Sequence, residues 1–144
     1  MAFRGQFDYS LDAKNRVAVP PKFRTAFADG IVLSKWLEPA ISIWVPDEFE
    51  RWSDSFLSRL NPVGSEHRKL TRFFAGGSFD LSLDSAGRVT LNQQLMQYAR
   101  ISKEVVIVGQ LNHLEIWDRD AWNADQESLP NEIAEIAESL GHPS

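Results

Sequence analysis

The sequence FDYSLDAKNRVAV, residues 7–19, occurs a second time in altered form as FDLSLDSAGRVTL, residues 79–91. A shift of 72 positions aligns the two stretches and gives seven identical pairs, among them Asp12 with Asp84 and Arg16 with Arg88. After one inserted residue the match resumes, and AISIWVPDEF aligns with HLEIWDRDAW. The chain is therefore a tandem duplication of units of roughly seventy residues. Two units are too few for a solenoid, so we expect them to pair face to face around a pseudo-two-fold axis.

Each repeated stretch predicts two short strands joined by a tight turn. Apolar side chains alternate with polar ones on both sides of a short polar break, as in half-buried strands. In DAKN and DSAG the aspartates Asp12 and Asp84 open a type I turn. The fourth position holds Asn15 or Gly87, the two residue types that best tolerate a left-handed backbone. Both copies are therefore expected to form the same turn.

Outside the repeated stretches, the periodicity predicts further strands and several helices. β-Branched runs indicate the strands, and apolar stripes at helical spacing indicate the helices. The predicted strands are IVLSKW, ISIWV, EVVIVGQ and LEIWD, and the predicted helices are PPKFRTAF, PDEFERWSDSFLSRL, SEHRKLTRFFAGG, NQQLMQYAR with Asn92 as its N-cap, DRDAWNADQESL and PNEIAEIAESL. The aromatic stripes, which include all five tryptophans, indicate core packing rather than a ligand site.

The charge is strongly segregated along the chain. The formal net charge is −5, but residues 1–24 and residues 66–103 each carry a net +3, and residues 104–144 carry −8. Each repeated stretch lies in a positive segment, so the negative average does not exclude nucleic acid as a partner.

The composition also restricts the compartment and the chemistry. The chain has no cysteine, which excludes disulfides, thiolate zinc sites and cysteine nucleophiles and fits a reducing compartment. No apolar run has the length of a signal peptide or of a membrane helix. We therefore predict a cytoplasmic protein without a membrane partner.

Arg16 and Arg88 directly follow the left-handed turn residue and would lie on one face if the units pair by a two-fold axis. An arginine can bind guanine or phosphate with two parallel donors, so the two turns suit a groove of duplex DNA. Asp12 and Asp84 are expected to brace the turn or orient the arginine. Cations placed to neutralise phosphates are Arg4, Lys14, Lys22 and Arg24. The alternative is a structural Asp–Arg ion pair in each unit, and spacing alone does not decide between them.

The strongest alternative to a DNA-binding protein, from a different functional class, is an enzyme. Paired Asp12 and Asp84 are similar to an aspartic protease dyad, but neither loop has the Asp-Ser/Thr-Gly sequence that the dyad needs. The histidines His67, His113 and His142 show no metal-ligand spacing. The sequence predicts no enzymatic activity, no metal and no cofactor.

Three stretches closely resemble the MraZ family, bacterial transcriptional regulators built from two SpoVT/AbrB-type domains: MAFRGQFDYSLDAKNRVAVPPKFR, LTRFFAGGSFDLSLDSAGRVTL and VVIVGQLNHLEIWDRDAW. The resemblance reaches about residue 125. The family signature Asp-x-x-x-Arg here spans residues 12–16 and 84–88. Asn15 replaces the usual glycine of the first motif. Asn92 and Met96 stand where the family more often has Pro and a basic residue, so the second helix is expected to contribute less to phosphate binding.

The duplication and the resemblance together imply an α+β fold in which two pseudo-symmetric AbrB-like swapped-hairpin β units form one β-barrel-like core flanked by short helices. We expect the first unit at residues 1–72, the second at 73–125 and an acidic C-terminal helix or tail at 126–144.

The resemblance further implies binding of double-stranded DNA, with Arg16 and Arg88 as the reading side chains. The expected targets are short direct repeats in the promoter of the division and cell-wall gene cluster that contains the protein's own gene. A ring-like homo-oligomer associated with the nucleoid is expected. The alternative is an antitoxin-like or scaffold role in which the acidic C-terminal helix binds a partner protein.

Overall fold

The computed structural model describes residues 2–141, and this part of the chain has the predicted α+β class. The strands are β1 (Gln6–Ser10), β2 (Arg16–Ala18), β3 (Ile31–Lys35), β4 (Ile41–Trp44), β5 (Ser78–Leu81), β6 (Arg88–Thr90), β7 (Glu104–Gly109) and β8 (Leu114–Asp118). The helices are a 3-10 helix (Pro21–Phe27), α1 (Pro46–Leu57), α2 (Ser65–Gly76), α3 (Gln93–Ala99) and α4 (Arg119–Ser139).

The helix starts follow from local sequence. Pro21 and Pro46 open the 3-10 helix and α1, where a missing amide costs no intrahelical hydrogen bond. The Oδ1 atom of Asn92 accepts a hydrogen bond of 2.9 Å from the Leu95 amide, so the predicted cap of α3 is confirmed. Asp118 caps α4 by accepting from the Ala121 amide at 3.2 Å.

The strands of the two repeats are exchanged. The large sheet has the order β1-β7-β8-β4-β3-β5, and all its pairings are antiparallel. The first strand of each repeat pairs with the third strand of the other: β1 pairs with β7, and β5 pairs with β3. The short strands β2 and β6 pair with each other in a second sheet. The strands on either side of each turn therefore pair with the other repeat, and not with one another.

A closed barrel is not found in the described part of the chain. β1 and β5 are the edge strands of the six-stranded sheet, and β2 and β6 form a separate pair. The β-barrel-like core therefore stays a prediction.

The six-stranded sheet buries a different core on each face because successive side chains of a strand point to opposite sides. On β3, Ile31 and Leu33 belong to a largely aliphatic core, which also holds Val17 and Val89 of the small sheet. Val32 belongs to an aromatic core beneath α1 and α2. Members of that core are Trp36, Trp44, Phe74 and Trp117, with Trp52 and Trp122 packed against it. The expectation that the tryptophans serve packing is confirmed.

The C-terminal helix is longer than expected. The sequence predicts separate helices at 118–129 and 130–140, but α4 runs through both stretches, with Pro130 inside it. Pro130 deprives the helix of one amide donor, and the helix continues on both sides. The expected unit boundaries after residues 72 and 125 fall inside α2 and α4 respectively.

Between residues 2 and 141 there is no helix long and apolar enough to cross a membrane. His142, together with the last residues of the expected tail, lies outside the described residues.

Candidate nucleic-acid interface

Each motif turn is organised by its aspartate. We call residues 12–16 the first tip and residues 84–88 the second tip. The Oδ1 atom of Asp12 accepts hydrogen bonds of 2.9 Å from the amides of Lys14 and Arg16. The Oδ1 atom of Asp84 accepts bonds of the same length from the equivalent amides of the second tip. The aspartates therefore brace the turns, as the sequence predicts.

The fourth residue of each turn has a left-handed backbone. Asn15 has φ 58° and Gly87 has φ 76°. An asparagine tolerates this region better than most residues with a side chain, so the departure from glycine at position 15 leaves the turn intact. The predicted turn chemistry is confirmed in both copies.

The pairing of β2 with β6 brings the two tips together. Val17 lies opposite Val89 at the centre of this pair. The Val19 amide donates to the Gly87 carbonyl at 2.9 Å, and the Leu91 amide donates to the Asn15 carbonyl at the same distance. Each tip is thus hydrogen-bonded to the strand end of the other repeat.

The motif side chains form one network of four charges. Arg16 Nε lies 2.7 Å from Asp12 Oδ2, and Arg88 Nε lies 2.9 Å from Asp84 Oδ2. Each arginine also approaches the other tip, with Nη1–Oδ2 distances of 3.9 Å to Asp84 and 3.6 Å to Asp12. The structural ion pair that the sequence left open is therefore present, and it links the two repeats.

The network leaves part of each arginine available to a ligand. The side chains of Arg16 and Arg88 keep 28% and 35% of their surface exposed. Among residues 2–141, only Nε of each guanidinium donates a hydrogen bond. The Nη groups can therefore still bind a base edge or a phosphate.

Both aspartates are ionised at neutral pH. The hydrogen bond from the Arg16 amide, the largest effect, lowers the pKa of Asp12 to about 2 against partial desolvation. The Arg88 amide likewise lowers the pKa of Asp84. Because the two carboxylates offset the two guanidinium charges, any positive potential at the tips must come from other side chains.

The remaining predicted cations lie at different places. Lys14 is exposed on the first tip. Lys22 Nζ lies 5.1 Å from the Phe7 ring centroid and 5.0 Å from that of Phe23. Arg24 lies against the second tip, next to Gly87. The structure therefore brings these three toward the motifs or the elements that flank them.

Arg4 is separated from the tips. It precedes β1, whereas the first tip follows β1. Its neighbour Phe3 exchanges backbone hydrogen bonds with Leu111, in the turn between β7 and β8. Arg4 therefore lies at the opposite end of the strand from Asp12.

Sequence reasoning missed one exposed cation beside the first tip. The Lys103 carbonyl accepts a hydrogen bond of 2.9 Å from the Leu11 amide, directly before Asp12. Lys103 is exposed. Its place depends on the pairing of β1 with β7, which no local pattern indicates.

Comparison with known proteins assigns the family. The family model described as "MraZ protein, putative antitoxin-like" matches residues 2–73 and again residues 74–140, once for each repeat. The chain belongs to the MraZ family. It is 35% identical over 138 residues to a protein of Natranaerobius thermophilus named "Transcriptional regulator MraZ", with 96% of each chain covered. The MraZ resemblance seen in the sequence is confirmed and extends beyond residue 125.

Proposed function

We propose that this MraZ-family chain is a sequence-specific DNA-binding transcriptional regulator without enzymatic activity. The observation that carries the proposal is the joining of two Asp-x-x-x-Arg tips into one network of four charges. The name of the Natranaerobius thermophilus relative, "Transcriptional regulator MraZ", supports the regulatory role.

In this proposal the tips read DNA through the arginine Nη groups. Arg16 and Arg88 would bind base edges in a groove, while Asp12 and Asp84 hold Nε and so orient the planar donors. An oriented guanidinium loses less freedom on binding than a free one. Asn15 and Gly87 support the turns. Phosphate contacts are assigned to Lys14, Lys22, Arg24 and Arg4, with Arg4 at the other end of β1 from the first tip.

The exchange of strands fixes the position of the two tips relative to each other. With β1 on β7 and β5 on β3, neither repeat can move without breaking the shared sheet. We propose that the two repeats with their exchanged strands form one swapped-hairpin unit with a β-barrel-like core. Such a unit would hold the spacing of the two tips constant, which reading a fixed DNA site requires.

The proposed targets are short direct repeats in the promoter of the division and cell-wall gene cluster that contains the protein's own gene. Binding would take place in the cytoplasm at the nucleoid. One subunit offers few contacts and carries a net charge of −5. A ring-like homo-oligomer would compensate, because a second contact within one assembly can raise the affinity by ~10²–10⁴.

A gel-shift titration tests the proposal. The probes are promoter DNA with one repeat, with several repeats in phase at ~10 bp, and with ~5 bp inserted between repeats. We expect the in-phase probe to bind most tightly, since half a helical turn rotates one repeat to the other side of the duplex. A scrambled probe serves as control. Equal affinity for the scrambled and promoter probes would refute sequence-specific binding.

A second candidate role is protein binding by the C-terminal helix, in an antitoxin-like or scaffold function. α4 has no buried residue; its apolar side chains Ile133 and Ile136 are 53% and 54% exposed, and Leu140, directly after the helix, is 80% exposed. They are spaced as one helical stripe between acidic residues. An exposed apolar stripe of this kind fits a partner surface.

Truncation before Pro130 separates the two roles. Retained DNA binding by residues 1–129 would show that DNA binding does not need the helix end, which would then be free to bind a partner protein. Loss of DNA binding together with a smaller assembly in sedimentation would assign it to the oligomer, and the protein-binding role would fall.

A further inference from the structure

The side chain of Arg24 fills the space above the second tip. Arg24 Nε donates a hydrogen bond of 3.0 Å to the Val19 carbonyl, and the guanidinium lies over Gly87. A Cβ atom on Gly87 would stand 2.3 Å from Arg24 Nε and 2.6 Å from Arg24 Cζ. Any side chain at position 87 would therefore displace Arg24 from this place.

The backbone of the turn does not by itself require glycine. Asn15 occupies the equivalent position of the first tip with φ 58°, close to the φ 76° of Gly87. The two positions also make equivalent hydrogen bonds, to Leu91 and to Val19. What distinguishes them is the helix residue that corresponds to Arg24, which in the second repeat is Met96. The tip with Gly87 thus goes with Arg24, and the tip with Asn15 goes with Met96, in the two pseudo-symmetric arrangements.

The two tips consequently carry different cations. The first tip has Lys14 on the turn itself, a flexible ammonium, where the second tip has Ala86. The second tip has a guanidinium from the other repeat, held by the Val19 carbonyl. Among residues 2–141, no carboxylate lies within 4.0 Å of the Arg24 guanidinium, so its charge is not offset as those of Arg16 and Arg88 are.

We propose that Gly87 is a positioning residue that admits Arg24 to the second tip, and that Arg24 there binds a DNA phosphate that the first tip cannot bind. This inference rests on the proposed DNA-binding function. It implies that the pseudo-symmetric pair of tips binds its DNA site in one orientation only. A symmetric pair would bind a site equally well in both orientations. A pair with a preorganised guanidinium at one tip and a flexible ammonium at the other binds it in one orientation.

The first test concerns the protein alone. The Nε–H resonance of Arg24 in ¹⁵N NMR should exchange slowly with solvent because it is hydrogen-bonded to Val19. Gly87→Asn should abolish this protection, since Asn keeps the left-handed turn but fills the space of the guanidinium. Asn15→Gly is the matched control and should leave the resonance unchanged. A protected resonance in Gly87→Asn would overturn the positioning role.

The second test measures affinity for the promoter DNA by fluorescence anisotropy. Arg24→Met and Gly87→Asn should each weaken binding about tenfold and reduce the slope of log K against log salt by about one. Gly87→Asn leaves the net charge unchanged, so its effect reports placement of the charge. The double variant should bind like either single variant. Wild-type affinity in a folded Gly87→Asn variant would overturn the inference.

The third test measures orientation. Because the chain has no cysteine, the equivalent exposed residues Ala13 and Ser85 can each be replaced by a single cysteine that carries an iron chelate. On a single-repeat duplex at saturating protein, Ala13→Cys and Ser85→Cys should cleave DNA at opposite ends of the site. In a Lys14→Ala/Arg24→Met background, in which neither tip keeps its own cation, both should cleave at both ends.

The outcomes separate the inference from the function on which it rests. Cleavage at both ends by each cysteine variant with Arg24 present would overturn the directional pair, while DNA binding would stand. Failure of the wild-type protein to distinguish promoter from scrambled DNA would refute the proposed function and with it the DNA role of Arg24. The NMR test of the contact between Gly87 and Arg24 does not depend on DNA.

Discussion

Replacing both motif aspartates by asparagine should free the charge of the motif arginines while the turns stay folded. Asn at positions 12 and 84 keeps an Oδ1 atom that can accept the two amide hydrogen bonds of 2.9 Å in each turn. It removes the negative charge opposite Arg16 Nε and Arg88 Nε, at 2.7 Å and 2.9 Å. The double variant therefore changes the electrostatics of the tips and retains the backbone contacts.

The magnitude follows from the cations that the tips can offer to phosphates. In the wild-type protein the aspartates offset the two motif arginines. The cations on or near the motifs without a carboxylate within 4.0 Å, in the range 2–141, are Lys14, Lys22, Arg24 and Lys103. At about −0.9 per phosphate, four such contacts give a slope of log K against log salt of about −3.6 per subunit. Two freed guanidinium groups should steepen the slope to about −5.4.

The assay is fluorescence anisotropy with promoter DNA and with scrambled DNA, from about 50 to about 300 mM salt. We expect the Asp12→Asn/Asp84→Asn variant to bind scrambled DNA more tightly and to discriminate less, since its guanidinium groups are no longer oriented. Glu135→Gln/Glu138→Gln changes the net charge equally at the far end of α4 and is the control. Equal slopes for the variant and this control would refute the reasoning.

Three further outcomes are expected. Folding lowers the pKa of Asp12 to about 2, so the ionised carboxylate stabilises the protein fully above the ordinary carboxyl pKa and loses this effect as the pH falls toward 2. The Tm of the wild-type protein should therefore drop more steeply than that of Asp12→Asn from about pH 5 to about pH 2. Parallel Tm curves for the two proteins would contradict this. Phe74→Ala should cost ~3–5 kcal/mol in urea unfolding because Phe74 is 2% exposed among aromatic rings, and a loss below about 1 kcal/mol would argue against this core. Gly109→Ala should lower the Tm, since a Cβ atom there would lie 2.4 Å from the Phe3 carbonyl oxygen. Gly76→Ala should leave the Tm unchanged, because a Cβ atom there would meet no atom within 4 Å. Similar Tm values for the two variants would disprove the close contact at Gly109.

Local chemistry in the sequence was enough to predict the turns and most of the helix and strand positions. Asp84 braces its turn through bonds to residues two and four positions away, and Asn92 caps α3 through a bond three positions away. Such contacts depend on short-range sequence alone. The continuous helix α4 was missed because Pro130 is a strong local signal for a break, although a helix can tolerate the loss of one amide donor.

The sequence by itself determined the duplication, the two Asp-x-x-x-Arg motifs and the residue types that a left-handed turn accepts, because these depend only on residue spacing and side-chain chemistry. The tertiary structure decided which strands pair, and therefore which charges meet. Arg16 reaches Asp84, and Arg24 reaches Gly87, only because β2 of the first repeat pairs with β6 of the second. Contacts between residues more than sixty positions apart depend on how strand pairing and core burial close the whole chain, which no local pattern specifies.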